Sequence, residues 1–251
     1  MTTDHGNEFS GRTVVITGAA SGIGYATAQW FADRGATIVG VDISGELPQA
    51  LAGLPGGEHH PITADLCEEG APARVVAEAT AVAPGLDVLV NSAGVALLDA
   101  ALDLSESAWR RTLDLNLTAS FLMAQAAGKV MTAQGSGRII NLASQASVVA
   151  LDRHVAYCAS KAAIVGMTQA LAAEWAGNGV TVNAVSPTVV DTELGRKAWA
   201  GEPGERMREQ IPVGRFAQPA EIAALIGYLA SDPAAMVTGQ NLVIDGGYTI
   251  V

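Results

Sequence analysis

Two cysteines, Cys67 and Cys158, are all that this 251-residue chain contains. They stand far apart without ligand-like spacing, which argues against a disulfide framework and a structural zinc and points to a reducing cytoplasm. The four histidines form no His-x3-His pair. His59-His60 reads as a solvated loop, so no metal is expected and a zinc-dependent dehydrogenase is disfavoured. Basic residues are also scarce: 14 Lys and Arg against 25 Asp and Glu leave a net charge of −11, a poor match for nucleic acid or an anionic membrane. No apolar run reaches the roughly 18 residues of a membrane span. The first eleven residues are polar, lack a basic start and an apolar stretch, and do not resemble a signal peptide; residues 1–11 are expected to be a flexible lead. Charged residues make up only 16% and apolar ones 49%, which excludes a disordered chain. The length suits one large α/β domain over 12–251.

What is present is organised around Thr13 to Gly24. Val14 to Ile16 is an apolar, β-branched run that predicts a strand buried on both faces. Gly18, Ser21 and Gly22 make a tight turn, and Ile23 and Gly24 open a helical pattern. Gly18 and Gly22 let the backbone approach a ligand, Gly24 lets helix and strand pack closely, and the free N–H groups of the first helical turn seat a phosphate. The spacing is Gly-x3-Gly-x-Gly, and by itself it also suits an ordinary strand–helix turn. A second strand, Thr37 to Val41, ends in Asp42-Ile43, roughly 20 residues on, where an acid binds adenosine ribose hydroxyls. A carboxylate at Asp42 repels a 2′-phosphate, and no Lys or Arg stands at Ala19, Ala20, Ser21, Ile43 or Ser44 to offset it. The cofactor reading is NAD rather than NADP.

Strands and helices alternate along the rest, predicting a doubly wound parallel sheet with no domain boundary. A third strand ends at Asp65-Leu66, which either cradle an adenine ring or, for Asp65, cap the next segment. A fourth runs into Asn91-Ser92-Ala93-Gly94, small enough to pass beside a ribose or pyrophosphate. The fifth ends at Ser144, and the sixth at Ser186-Pro187. Residues 188–218 hold charges, Gly and Pro and read as a mobile insertion, a lid over a site. Asn116, Ser144, Tyr157 and Lys161 are able to converge at the strands' carboxyl ends. Tyr157 and Lys161 are four apart on a helix and share a face. A tyrosine has an ordinary pKa of about 10; a neighbouring ammonium favours its phenolate, which can take the proton of an alcohol. Each residue alone also has a plain role, as surface decoration, strand end or cap.

Thr17-Gly18-x3-Gly22-Ile23-Gly24, Asn91-x-Ala93-Gly94, Asn116, Ser144, Tyr157-x3-Lys161 and Ser186-Pro187 together resemble the short-chain dehydrogenase/reductase family over about residues 11–248. The resemblance implies a seven-stranded Rossmann sheet of order 3-2-1-4-5-6-7 and, usually, a homotetramer. It implies Tyr157 as general base or acid and Lys161 as holder of the nicotinamide ribose that lowers the tyrosine pKa. Ser144 would orient the substrate, and Asn116 would support a water-linked proton relay. Pro187 and backbone groups near Val190 and Thr192 would hold the carboxamide. Two positions depart from the family pattern: Ser92 stands where Asn is frequent, and Thr188 where Gly is frequent, which changes the pocket beside the nicotinamide. Gln145 and His154 flank the catalytic Ser and Tyr with polar groups. Asn-Leu-Ala-Ser-Gln at 141–145 and the Asp245 to Tyr248 tail together resemble bacterial polyol dehydrogenases acting on tetritols or hexitols. The expected substrate is therefore a small polyol; the alternative is a 3-oxoacyl-carrier-protein reductase, against which Asp42 and the −11 charge both count.

Overall fold

Alternation of β-branched side chains on the strands divides the core into two layers. In the computed structural model, which describes residues 6–83 and 85–251, β1 (Thr13–Thr17) sends Val14 and Ile16 to one face and Val15 to the other. The first face packs on α1 (Gly22–Ala32) and α9 (Pro219–Ala230) through Ala28, Phe31, Ile222 and Ile226. The short α2 (Leu47–Ala52) adds Leu47 and Leu51 to it. The second face packs on α3 (Ala71–Val82), α5 (Ser120–Gln134) and α6 (Val155–Trp175) through Val75, Met123, Met131 and Leu171. A strand covered on both sides by helices reads as a continuous apolar run.

The strands are β1, β2 (Thr37–Asp42), β3 (His60–Thr63), β4 (Val88–Asn91), β5 (Gly137–Leu142), β6 (Val180–Pro187) and β7 (Asn241–Ile244). They pair in the order β3-β2-β1-β4-β5-β6-β7, every pair parallel. This is the Rossmann order expected from the resemblance, with the crevice where the winding reverses between β1 and β4.

Three expectations are corrected. Residues 6–11 are not a flexible lead: Phe9 is 1% exposed, donates its N–H to Arg34 O and meets Trp30 and Phe31 edge to face. Residues 1–5 lie outside the described residues. An aromatic ring in a polar segment buries itself because the hydrophobic gain does not depend on its neighbours in sequence. His59 is not solvated loop either. Its Nδ1 accepts from Ile38 N–H and its Nε2 faces Pro55 O at 3.0 Å, while His60 opens β3. Finally, residues 188–218, expected as a mobile insertion, contain regular helices. They hold α7 (Glu193–Ala198) and α8 (Glu202–Gln210), and Met207, Ile211 and Phe216 form a small core with Trp199 and Tyr248.

Candidate active site

At the end of β1 the chain turns at Gly18 and enters α1 at Gly22, both with left-handed φ (+71° and +57°). Closeness decides the residue type as much as φ does. A Cβ at Gly24 would stand 2.1 Å from Gly18 O, and one at Gly18 would stand 3.1 Å from Ala93 N. Thr17 ties the same junction: its Oγ1 accepts from Ser92 N–H (3.0 Å) and Ala93 N–H (3.1 Å). Gly24→Ala is therefore expected to destabilise the protein by about 1–3 kcal/mol, the range for forcing an extra methyl into packed structure. Thermal melting checks this.

The turn opens onto a cleft of about 500 Å³ lined by Gly18, Ser21, Gly22, Ile23, Gly24, Asp42, Ile43, Asp65, Leu66, Ala93, Gly94 and Thr192. Asp42 closes one end. Its Oδ2 accepts from Ala20 N–H and its Oδ1 from Ser44 N–H, both at 3.0 Å, so the carboxylate is fixed with lone pairs to spare. Asp65 caps the following turn, accepting from Cys67 N–H at 2.9 Å, and also lines the cleft with Leu66. Thr192, which caps α7, lies across the turn: a Cβ at Gly22 would come 3.5 Å from Thr192 Cγ2.

Some cleft residues had no sequence signal. Val95, Arg111, Leu115 and Lys197 line it as well. Arg111 reaches Asp65 (3.6 Å) and Lys197 reaches Glu193 (2.6 Å), so each cation near the cleft already faces a carboxylate. Conversely, Asn91 does not line it. The Asn91 amide donates to Ser120 O and to Asn141 Oδ1 and bolts β4 to α5 and β5. Pro187 and Val190 also lie outside that lining; Val190 is buried and bridges to Ala217.

Beyond the inner end of the cleft stand Asn116, Ser144, Tyr157 and Lys161. Gly94 marks the junction, because a Cβ there would be 3.1 Å from Asn116 Oδ1 and 3.8 Å from Lys161 Nζ. Asn116 sits in a π-helical stretch, Asp114–Ala119, between α4 (Glu106–Leu113) and α5. Its side chain accepts from Val95 N–H (2.8 Å) and donates to Val95 O (2.9 Å) and Ser160 Oγ (3.1 Å). It thus holds the β4 loop against α6.

Tyr157 and Lys161 lie on the first turns of α6, as their spacing predicts. Lys161 is 5% exposed; its Nζ donates to Leu142 O (2.6 Å) and stands 5.7 Å from the Tyr157 ring centre. Burial lowers the Lys161 pKa to about 8. Burial also raises that of Tyr157, against a hydrogen bond with Ser144 that lowers it. The net shift is upward, opposite to the expected lowering, because desolvation of the phenolate outweighs its Ser144 partner. Ser144 Oγ also accepts from Ala146 N–H at 3.2 Å. Gln145 follows, 2% exposed. His154 meets the Tyr157 ring edge-on (centres 6.1 Å) and stacks on Trp199 at the end of α7 (6.4 Å).

The family model described as enoyl-(acyl carrier protein) reductase matches residues 18–249. An NAD-dependent glycerol dehydrogenase of Listeria innocua is 54% identical over 239 residues, covering 95% of this chain and 94% of that one. A D-threitol dehydrogenase of Mycolicibacterium smegmatis is 52% identical, covering 100% and 97%. Among solved structures, a candidate NAD(P)-dependent gluconate 5-dehydrogenase from Beutenbergia cavernae, with NADP bound at low occupancy, superposes with a TM-score of 0.90 at 38% identity, covering 98% of this chain and 99% of that one. With its strand order, glycine turn and Tyr157-x3-Lys161 helix, the chain belongs to the short-chain dehydrogenase/reductase family.

Proposed function

We propose that this enzyme oxidises a secondary hydroxyl of a small polyol with NAD. The observation that carries the proposal is the junction of the two halves of the site. A cleft ended by the fixed Asp42 carboxylate runs to Gly94, and Ser144, Tyr157 and Lys161 stand immediately beyond it. The residues fit the cofactor: the glycine turn leaves backbone N–H groups and space for a pyrophosphate, Asp42 has lone pairs for ribose hydroxyls, and Thr192 closes over the turn. NAD, held there by Gly18, Ser21, Gly22, Ile23, Gly24, Asp42, Ile43, Asp65, Leu66, Ala93 and Gly94, supplies the hydride acceptor. Val190, Thr192 and Pro187 bound its nicotinamide end, and Asn91 supports the β4 turn from behind.

Ser144 holds the substrate oxygen, and Tyr157 takes its proton. Lys161 binds a ribose hydroxyl, and its ammonium offsets the desolvation that disfavours the phenolate. Asn116 positions the β4 loop and α6, and its backbone carbonyl, which accepts from Ser120 Oγ at 2.9 Å, stands beside the water-linked relay that carries the proton outward. Gln145 and His154 contact further hydroxyls. Relatives named for glycerol and D-threitol support the polyol class over acyl-carrier substrates. The chain has the composition of a cytoplasmic protein. Exposed Trp109, Phe121 and Leu122 near α4 and α5, and Tyr228 and Val243 on α9 and β7, supply two apolar faces for assembly as a homotetramer.

The test is a panel of polyols with NAD and NADP, followed at the nicotinamide absorbance. Oxidation of a C3 to C6 polyol with NAD is expected; activity with acyl thioesters and NADPH alone overturns the proposal. Cofactor choice follows from Asp42. A 2′-phosphate against a fixed carboxylate is a like-charge contact costing several kcal/mol, so kcat/KM should favour NAD over NADP by at least about tenfold, the equivalent of 1.4 kcal/mol. Asp42→Ala combined with Ile43→Arg should reduce that ratio. A native preference for NADP overturns the ribose assignment.

A further inference from the structure

Among the described residues one that is not glycine has a left-handed backbone: Arg153, at φ +62°. Such a φ is uncommon outside glycine, and where it occurs Asn, Asp and His are the favoured types rather than Arg. Strain of this kind persists only where the surrounding structure holds it, and it gathers at functional sites. Arg153 stands four residues before Tyr157, just ahead of α6.

The side chain of Arg153 joins two loops. Its guanidinium pairs with Asp99 Oδ1 at 2.8 Å, and the same oxygen accepts from Ala100 N–H at 2.8 Å. Asp99 is on the loop that leaves β4 through Gly94 and Val95, which line the cofactor cleft. Arg153 is on the loop that leaves β5 through Ser144. The pair therefore ties the cofactor half of the site to the catalytic half. Both partners are about half exposed, so the pair adds little stability by itself; what it supplies is geometry.

The next residue shows what that geometry serves. His154 has φ −111° and ψ +24°, neither helical nor extended, and it begins α6 without capping it through its side chain. Helices usually start at Ser, Thr, Asp or Asn, whose side chains bond the first N–H groups. Here that bond is forgone. The His154 Nδ1 faces Asp152 O, and the ring stands between Tyr157, edge-on, and Trp199, stacked.

We propose that Arg153 is a positioning residue for the proton transfer: its left-handed backbone, steadied by the pair with Asp99, seats the His154 ring against Tyr157 and so fixes the phenol beside Ser144. Arg153 acts through His154 and not on the substrate. The proposal rests on Tyr157 as the proton acceptor and adds to it the residue that sets the ring's orientation.

The experiment compares Arg153→Gly, Arg153→Val and Asp99→Asn with the native enzyme, using glycerol and NAD. Gly and Val both remove the guanidinium. Gly adopts a positive φ freely, whereas a β-branched residue is an outlier there, so their difference reads the backbone alone. A misplacement of about 1 Å can cost about 100-fold in rate, and kcat of the Val variant should fall roughly tenfold or more below that of the Gly variant. Asp99→Asn, which leaves the Arg153 backbone its native residue, should lose less kcat than Arg153→Val. NADH affinity, read by fluorescence titration, should stay within about twofold of native in all three, because the loss is in the chemical step and not in binding. If the Val variant does not fold, Arg153→Ala repeats the comparison with a milder conflict at the same φ, and it too should lie below Gly in kcat. Equal kcat in the Gly and Val (or Ala) variants, or a loss of rate matched by a loss of NADH affinity, overturns the positioning role and leaves the Tyr157 assignment standing. Native turnover in Tyr157→Phe removes both.

Discussion

Tyr157→Phe is expected to lower turnover by at least about 100-fold, the low end of what general acid–base catalysis contributes, while NADH still binds. The phenol is the one proposed proton acceptor beside Ser144, and its removal leaves the glycine turn, Asp42 and Lys161 in place. The hydroxyl's hydrogen bond with Ser144 is lost as well, but a single neutral bond is worth about 1 kcal/mol, so the fold should survive. Initial rates at the nicotinamide absorbance and an NADH fluorescence titration separate the two effects. Because burial raises the phenol's pKa, alcohol oxidation by the native enzyme should gain rate as the pH rises above neutrality. Turnover near the native rate in the Phe variant would place the proton transfer elsewhere.

Lys161→Met should abolish turnover to a similar degree and yet raise stability at neutral pH. The Lys161 pKa is depressed from 10.5 to about 8 by burial. The unfolded chain therefore binds this proton more tightly than the native one. A penalty follows that is fully present below pH 8 and disappears as the pH rises toward 10.5. At 1.36 kcal/mol per pKa unit the penalty is about 3 kcal/mol at pH 7. Loss of the bond from Nζ to Leu142 O returns about 1 kcal/mol of it, which leaves a net gain of about 1–2 kcal/mol. Melting temperatures of the two proteins should differ most near pH 7 and converge toward pH 10. A variant less stable than the native enzyme at pH 7 would show that the ammonium is better compensated in the folded protein than its single bond to Leu142 O suggests. A net gain in stability would mark Lys161 as a buried charge retained at the expense of stability, a common arrangement at active sites.

How much of this was legible beforehand varied by residue. Local chemistry declares itself in sequence. The β-branched runs of β1, β2 and β6 are strands because both sheet faces are apolar. Pro219 starts α9, and Gly24 is a glycine because its neighbour's carbonyl leaves no room for a Cβ. The four-residue spacing of Tyr157 and Lys161 places them on one helical face without further help. Asp42 was likewise readable, since its place at a strand end after a glycine turn defines what it can face.

Contacts between distant elements were not readable in that way. Arg111 and Lys197 reach the cleft only because α4 and α7 fold toward it, and no local pattern marks them. The π-helical stretch that aims the Asn116 amide at Val95 sits in an unremarkable helical sequence, because one added residue in a helical turn alters direction without altering composition. The burial of Phe9 and the helices α7 and α8 were missed because polar, glycine- and proline-bearing surroundings masked apolar side chains whose partners lie far along the chain. The sequence alone determined the strand–turn–helix around Gly18 to Gly24, the acid at the end of β2 and the shared helical face of the Tyr/Lys pair. Tertiary structure alone decided the protonation tendencies of that pair and the left-handed turn at Arg153 held by Asp99. Desolvation and hydrogen-bond satisfaction depend on everything packed around a group, and that packing exists only once the sheet has closed.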